Sequence, residues 1–158
     1  VRAQAAPVSG SGGWAAGGYE RFLQMVEEVY NCDGALTQIE QSFFPFTHAE
    51  VGAAVLYKWK FSEVMARLVL YHGDPRFLGG ELTIPDEDAV ALLPLLATVN
   101  LARNFCRKAG IGQRFAEENL LLIRSQGAQL LGLEPDPLNQ LYEDFQECFL
   151  RDRGIFLD

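Results

Sequence analysis

The chain has 158 residues, 49% hydrophobic and 22% charged, and a single domain of that length buries roughly two thirds of its unfolded surface. Thirteen Lys and Arg against 21 Asp and Glu leave a formal charge of -8, so the basic field that phosphate-backbone binding needs is missing and direct nucleic-acid contact is not expected. Apolar runs such as Ala89 to Leu93 and Leu120 to Ile123 fall far short of the roughly 20 residues that cross a bilayer. Three cysteines, Cys32, Cys106 and Cys148, are too few and too scattered for a disulfide framework or a Cys-rich zinc site, which fits a reducing cytoplasm.

Residues 1–18 hold Gly10, Gly12, Gly13, Gly17 and Gly18 with Pro7 and two serines, a composition that reads as a flexible arm or linker. From Tyr19 onward the periodicity is helical. Phe22, Leu23, Val26, Val29 and Tyr30 predict a first helix over about 19–30, and Asn31 to Gly34 supplies breakers. Thr47 and Glu50 form a capping box flanked by Phe46 and Val51 as a hydrophobic staple, so the next helix is expected to begin at His48. Its inward stripe is expected to be Val51, Val55 and Trp59, with Gly52 admitting a neighbouring backbone.

Ser62 is the expected N-cap of a helix with Met65, Leu68, Val69 and His72 on one face, stopped by Gly73, Asp74 and Pro75. After a loop ending at Gly80, Thr83 and Pro85 open a long helix through about Lys108, with a kink expected at Pro94 and a stop at Gly110 and Gly112. A further helix is expected over about 115–131. The last begins with Asp136 as N-cap and Pro137 at its first position, buries Leu138, Leu141, Phe145, Cys148 and Phe149, and closes at Gly154. Alternating strand patterns are scarce, so the expected class is all-α, a compact helical bundle of about five to seven helices.

His48 and His72, the only histidines, each fall at the boundary of an expected helix. As metal ligands they would need further His or carboxylate groups converging from other helices, and Asp74 and the Asp86, Glu87, Asp88 cluster serve equally well as a turn former and first-turn dipole partners. No nucleophile elbow, phosphate loop or third histidine for a triad is present. Phe43, Phe44 and Phe46 around Pro45, together with Trp59, are the candidate contact residues. The plainer reading puts Trp59, Tyr57 and Phe61 in the core and makes both histidines structural helix-end residues.

The stretch Glu40-Gln-Ser-Phe-Phe-Pro-Phe-Thr-His48-Ala-Glu-Val-Gly52 through Trp59, followed by Met65 to His72 and Gly73-Asp74-Pro75, resembles the HDOD domain. That family is related to the HD-type phosphohydrolases of bacterial signalling proteins. The resemblance extends from about Tyr19 to Phe156, an HD-like helical domain corresponding to the C-terminal portion of the family pattern, and no counterpart of the His-Asp doublet of active HD enzymes precedes it. By resemblance His48 matches a metal-ligand histidine and His72 the surviving member of a His pair whose first member is replaced by Tyr71. Asn100 falls near the closing aspartate, and an amide is a poor substitute for a carboxylate on a divalent ion.

The resemblance therefore implies a non-catalytic bacterial signal-transduction or regulatory domain without metal or cofactor, contacting other signalling proteins. Two alternatives stay open. One is a metal-dependent phosphohydrolase acting on a phosphodiester or nucleotide through His48 and His72. The other is a half-domain that folds by pairing as a homodimer.

Overall fold

The computed structural model describes residues 14–31, 36–73, 86–112 and 115–156. Every regular element among them is helical: α1 (Trp14–Asn31), α2 (Leu36–Phe43), α3 (His48–Lys58), α4 (Glu63–Tyr71), α5 (Asp86–Ala109), α6 (Gln126–Leu130) and α7 (Pro135–Asp152), with 3-10 turns at Leu122–Arg124 and Arg153–Phe156. The all-α class expected from the periodicity is the class observed. Contacts divide the chain into two units, Val1–Thr47 and His48–Asp158. None of the described helices is long and apolar enough to cross a membrane.

In the first unit, α1 packs against α2. Helix α1 starts at Trp14, ahead of the expected start at Tyr19, so 14–18 belong to the helix and not to the arm. The alanines at 15 and 16 favour helix, and Gly17 and Gly18 cost only about 1 kcal/mol each there. Its expected apolar stripe is only partly used: Val26 and Val29 are half-buried while Phe22, Leu23 and Tyr30 stay exposed, and the buried residue of the helix is Met25, outside that stripe. Helix α2 lies where no element was expected. It is a short, largely polar helix that buries Ile39 and Glu40, and eight residues leave little local signal.

In the second unit α3 and α4 form a helical hairpin. Helix α3 begins at His48 as the capping box predicts. Its buried residues are Ala49 and Ala53, and the expected inward stripe is overturned, with Val51 and Trp59 exposed. The cause is the closeness of the two helices: a Cβ on Gly52 would sit 2.9 Å from Val69 Cγ1. Only small residues fit that seam, so the large ones turn outward. Helix α4 starts on Ser62, whose side chain accepts from the Met65 N–H at 3.4 Å.

Helix α5 is the spine of this unit. Leu92 and Leu96 pack with Leu68, Tyr71 and Leu93. Further along the same helix, Leu101 and Phe105 join Leu122, Ala128 and Leu138, covered by Tyr142 and Phe145 from α7. Thr83, Pro85, Asp74, Pro75 and Gly80 lie outside the described residues. Pro94 does sit inside the helix, and its carbonyl accepts from the Thr98 hydroxyl at 2.8 Å.

The single helix expected over 115–131 is instead a turn, a 3-10 turn and the short α6. Lys108 Nζ donates to the carbonyls of Glu118 and Leu120 at 2.5 and 3.0 Å. Arg107 grips both oxygens of Glu117 at 2.7 and 2.8 Å. Carbonyls held by a lysine are diverted from the next helical turn, and the helix restarts only where Ser125 caps the Ala128 N–H.

Helix α7 begins at Pro135 with Glu134 in the cap position, just before the expected Asp136 cap. Both prolines fall in the first turn, where no N–H is required, and Asp136 serves as its acidic residue. Leu138 is buried and Phe145 packs on the core, but Leu141, Cys148 and Phe149 are exposed. The closing residue is also different, since α7 ends at Asp152 and a 3-10 turn carries on through Gly154.

Candidate functional site

The hairpin brings the two histidines together. His48 is the first residue of α3 and His72 the C-cap of α4, so reversing the chain at 59–62 returns the end of one helix to the start of the other. Their Nε2 atoms are 3.4 Å apart and their rings meet edge to face, with centroids at 5.3 Å. Gly52 and Val69 lie one turn inside each histidine, and the absence of a Cβ at Gly52 sets the separation.

The tautomer of His72 follows from its partners. Its Nδ1 lies 2.6 Å from the Val69 carbonyl, a group that only accepts, so Nδ1 carries a proton and donates. In the neutral ring Nε2 then offers a lone pair toward His48, which donates its own Nε2–H to it. Two imidazole nitrogens on a tetrahedral ion, at about 2.0–2.1 Å each, would be about 3.3 Å apart, so the spacing also suits half a metal shell. The other half is not there among the described residues, where no three His, Cys, Asp or Glu converge.

The two other positions singled out from the sequence have other tasks. Tyr71 packs against the Leu92 and Leu96 cluster. Asn100 Oδ1 accepts from the Gly127 N–H at 3.0 Å and from Asn104 Nδ2 at 3.1 Å. It latches α6 to α5 at a place where a Cβ on Gly127 would strike the Ala97 carbonyl oxygen and stand 2.9 Å from the Leu101 nitrogen. An amide committed to a buried backbone donor is a structural element of that seam.

The candidate contact residues fall in both units. In the first, Phe43 ends α2, and Phe44 and Phe46 stack at 5.7 Å around Pro45; Phe43 and Phe44 are half-buried and Phe46 is exposed. In the second, Trp59 is 67% exposed at the tip of the α3–α4 turn, with Tyr57, Phe61, Val64 and Met65 also exposed. The core reading for Trp59, Tyr57 and Phe61 is overturned, for the same reason that the α3 stripe is: the seam takes only small side chains. Sequence reasoning missed Lys58 and Lys60, both exposed beside these rings. A Lys-Trp-Lys run on a helix end was the available signal.

This hairpin lies inside the stretch that the family comparison picks out. Residues 15–75 match the family model of the HDOD domain. Over these residues the chain is similar to the HDOD domain, an HD-like, signalling-related family. It occupies the N-terminal part of the chain and ends at residue 75, whereas the resemblance was read as running on to Phe156. It takes in both histidines, the Gly52 seam and the Lys-Trp-Lys turn, and stops short of Asn100. No curated protein and no solved structure matches the chain.

Proposed function

We propose that this chain is a non-catalytic signal-transduction or regulatory domain of the bacterial cytoplasm that acts through contacts with other signalling proteins. The observation that carries the reading is the packing of Tyr71, inside the matched residues, on an apolar cluster. By resemblance that position belongs to a ligand histidine. Where the resemblance implies a closing carboxylate, an amide oxygen is bound to the Gly127 N–H and to Asn104. What remains of a metal shell among the described residues is two imidazoles, which hold a divalent ion weakly by themselves.

One observation favours the competing reading of a metal-dependent phosphohydrolase: the 3.4 Å between His48 and His72 Nε2, which suits a shared ion. Elemental analysis after incubation with manganese, iron and zinc separates the two, paired with hydrolysis assays on phosphodiester and nucleotide substrates. The regulatory reading expects metal well below one ion per chain and no turnover. Stoichiometric metal that is lost in His48→Ala, with hydrolysis, would overturn it.

A further inference from the structure

The end of α3 carries a surface that the histidine site does not explain. Trp59 is 67% exposed and Phe61 51%. Tyr57 is 49% exposed, and Arg67 of α4 reaches Glu63 through Nη2 at 2.6 Å. Lys58 and Lys60 flank the indole, and neither is ion-paired with a described residue. In a chain of formal charge -8 this is a local reversal of sign, laid over exposed aromatic rings.

The backbone holds the arrangement firmly. Lys60 N–H donates to Tyr57 O and Phe61 N–H to Leu56 O, both at 3.0 Å, and Lys60 takes a φ of 60°. This is the Schellman closure, whose left-handed position is ordinarily glycine. Lys60 is the sole non-glycine residue with positive φ among those described. A side chain kept at a position where glycine would be less strained points to a use for that side chain.

We infer that the α3–α4 turn is a docking surface for an acidic peptide segment of a partner protein, one in which Asp or Glu residues flank a large apolar side chain. The apolar group would lie on Trp59 and Phe61 while its acidic neighbours meet Lys58 and Lys60. Charge complementarity selects this occupant. The net charge of -8 repels a second copy of the chain and any broad anionic surface, because both meet the field of the whole molecule. A short peptide meets only charges within a Debye length of about 10 Å. The inference rests on the regulatory reading and gives its partner a chemistry.

The test uses the full chain carrying Trp14→Phe, which leaves Trp59 as the only indole. Its emission is followed while a short synthetic peptide alternating Glu with Leu and Phe is added, and then the same peptide with Lys in place of Glu. The expected result is a saturable blue shift with the acidic peptide alone, weakened about tenfold or more by Lys58→Glu with Lys60→Glu and by raised salt. Lys60→Gly, which keeps the turn, should weaken binding by a smaller factor. No shift, an equal shift with the Lys peptide, or indifference to the lysine variants would overturn the inference. So would binding to phosphatidylserine-containing vesicles in preference to the peptide. Stoichiometric metal with hydrolysis sinks the regulatory reading whatever the peptide does; a metal-free, inactive protein that ignores the peptide sinks this inference alone.

Discussion

Three helices of the second unit end in the same backbone device and differ in the residue at its strained position. At the end of α5, Ile111 N–H reaches Cys106 O at 2.8 Å and Gly110 N–H reaches Arg107 O at 3.2 Å, with Gly110 at φ 71°. At the end of α6, Leu133 reaches Ala128 O and Gly132 reaches Gln129 O at 3.0 and 3.1 Å, with Gly132 at φ 63°. Helix α3 repeats both bonds with Lys60 in place of glycine. The following residue differs as well, since Leu133 packs on the core while Phe61 is exposed. The α6 end spends its geometry on folding. The α3 end accepts strain and leaves an aromatic ring in water, which is what a surface kept for a partner looks like.

The comparison predicts that the α6 side is where substitution does most damage. Gly127→Ala forces a Cβ into the Ala97 carbonyl and to within 2.9 Å of the Leu101 nitrogen. Backbone cannot yield as a side chain does, so a loss of about 3 kcal/mol is expected in urea unfolding. A loss under about 1 kcal/mol would mean that α6 lifts away easily and that the contrast with the α3 end is false. Asn100→Leu should cost about 2 kcal/mol by orphaning the Gly127 N–H. Asn100→Asp keeps an acceptor for both donors and should cost clearly less, and under the regulatory reading it should recruit no metal.

How far the sequence reveals this unit depends on which contacts act locally. The start of α3 at His48, the Ser62 cap and the stop at Gly110 were legible, because caps and glycine stops are short-range chemistry. The inward face of α3 was not. Periodicity assigns large apolar residues to the core, yet a helix seam set by Gly52 against Val69 admits only Ala49 and Ala53. The break at 115–125 was hidden for a related reason: Lys108 takes the carbonyls of Glu118 and Leu120 from ten and twelve residues away. At the candidate site, both histidines were identifiable as helix-end residues, but their meeting at 3.4 Å is a tertiary fact. The engagement of Asn100 with Gly127, 27 residues on, is another.

The glycine side of the comparison can be tested by itself. Nothing lies within 4 Å of a Cβ placed on Gly132, so Gly132→Ala isolates the left-handed strain from any clash. About 1 kcal/mol should be lost, with the helix content of the protein unchanged. A neutral result would show that φ 63° is cheap in this turn and would remove the argument that Lys60 is strained.

The smallest expected effect runs in the opposite direction. Lys60→Gly relieves a left-handed side chain worth about 1 kcal/mol, against which glycine loses some additional backbone freedom on folding. The net change should be a gain of about 0.5 kcal/mol, a rise of about 1–2 °C in Tm for a chain of this size. Because Lys60 N–H and Phe61 N–H keep their carbonyl partners at Tyr57 and Leu56, the turn itself survives the change. A variant that unfolds later and binds the acidic peptide less well would separate the two uses of this helix end. If it unfolds earlier, the Lys60 side chain contributes to folding in a way that outweighs its strain, and its presence at the turn needs no partner to explain it.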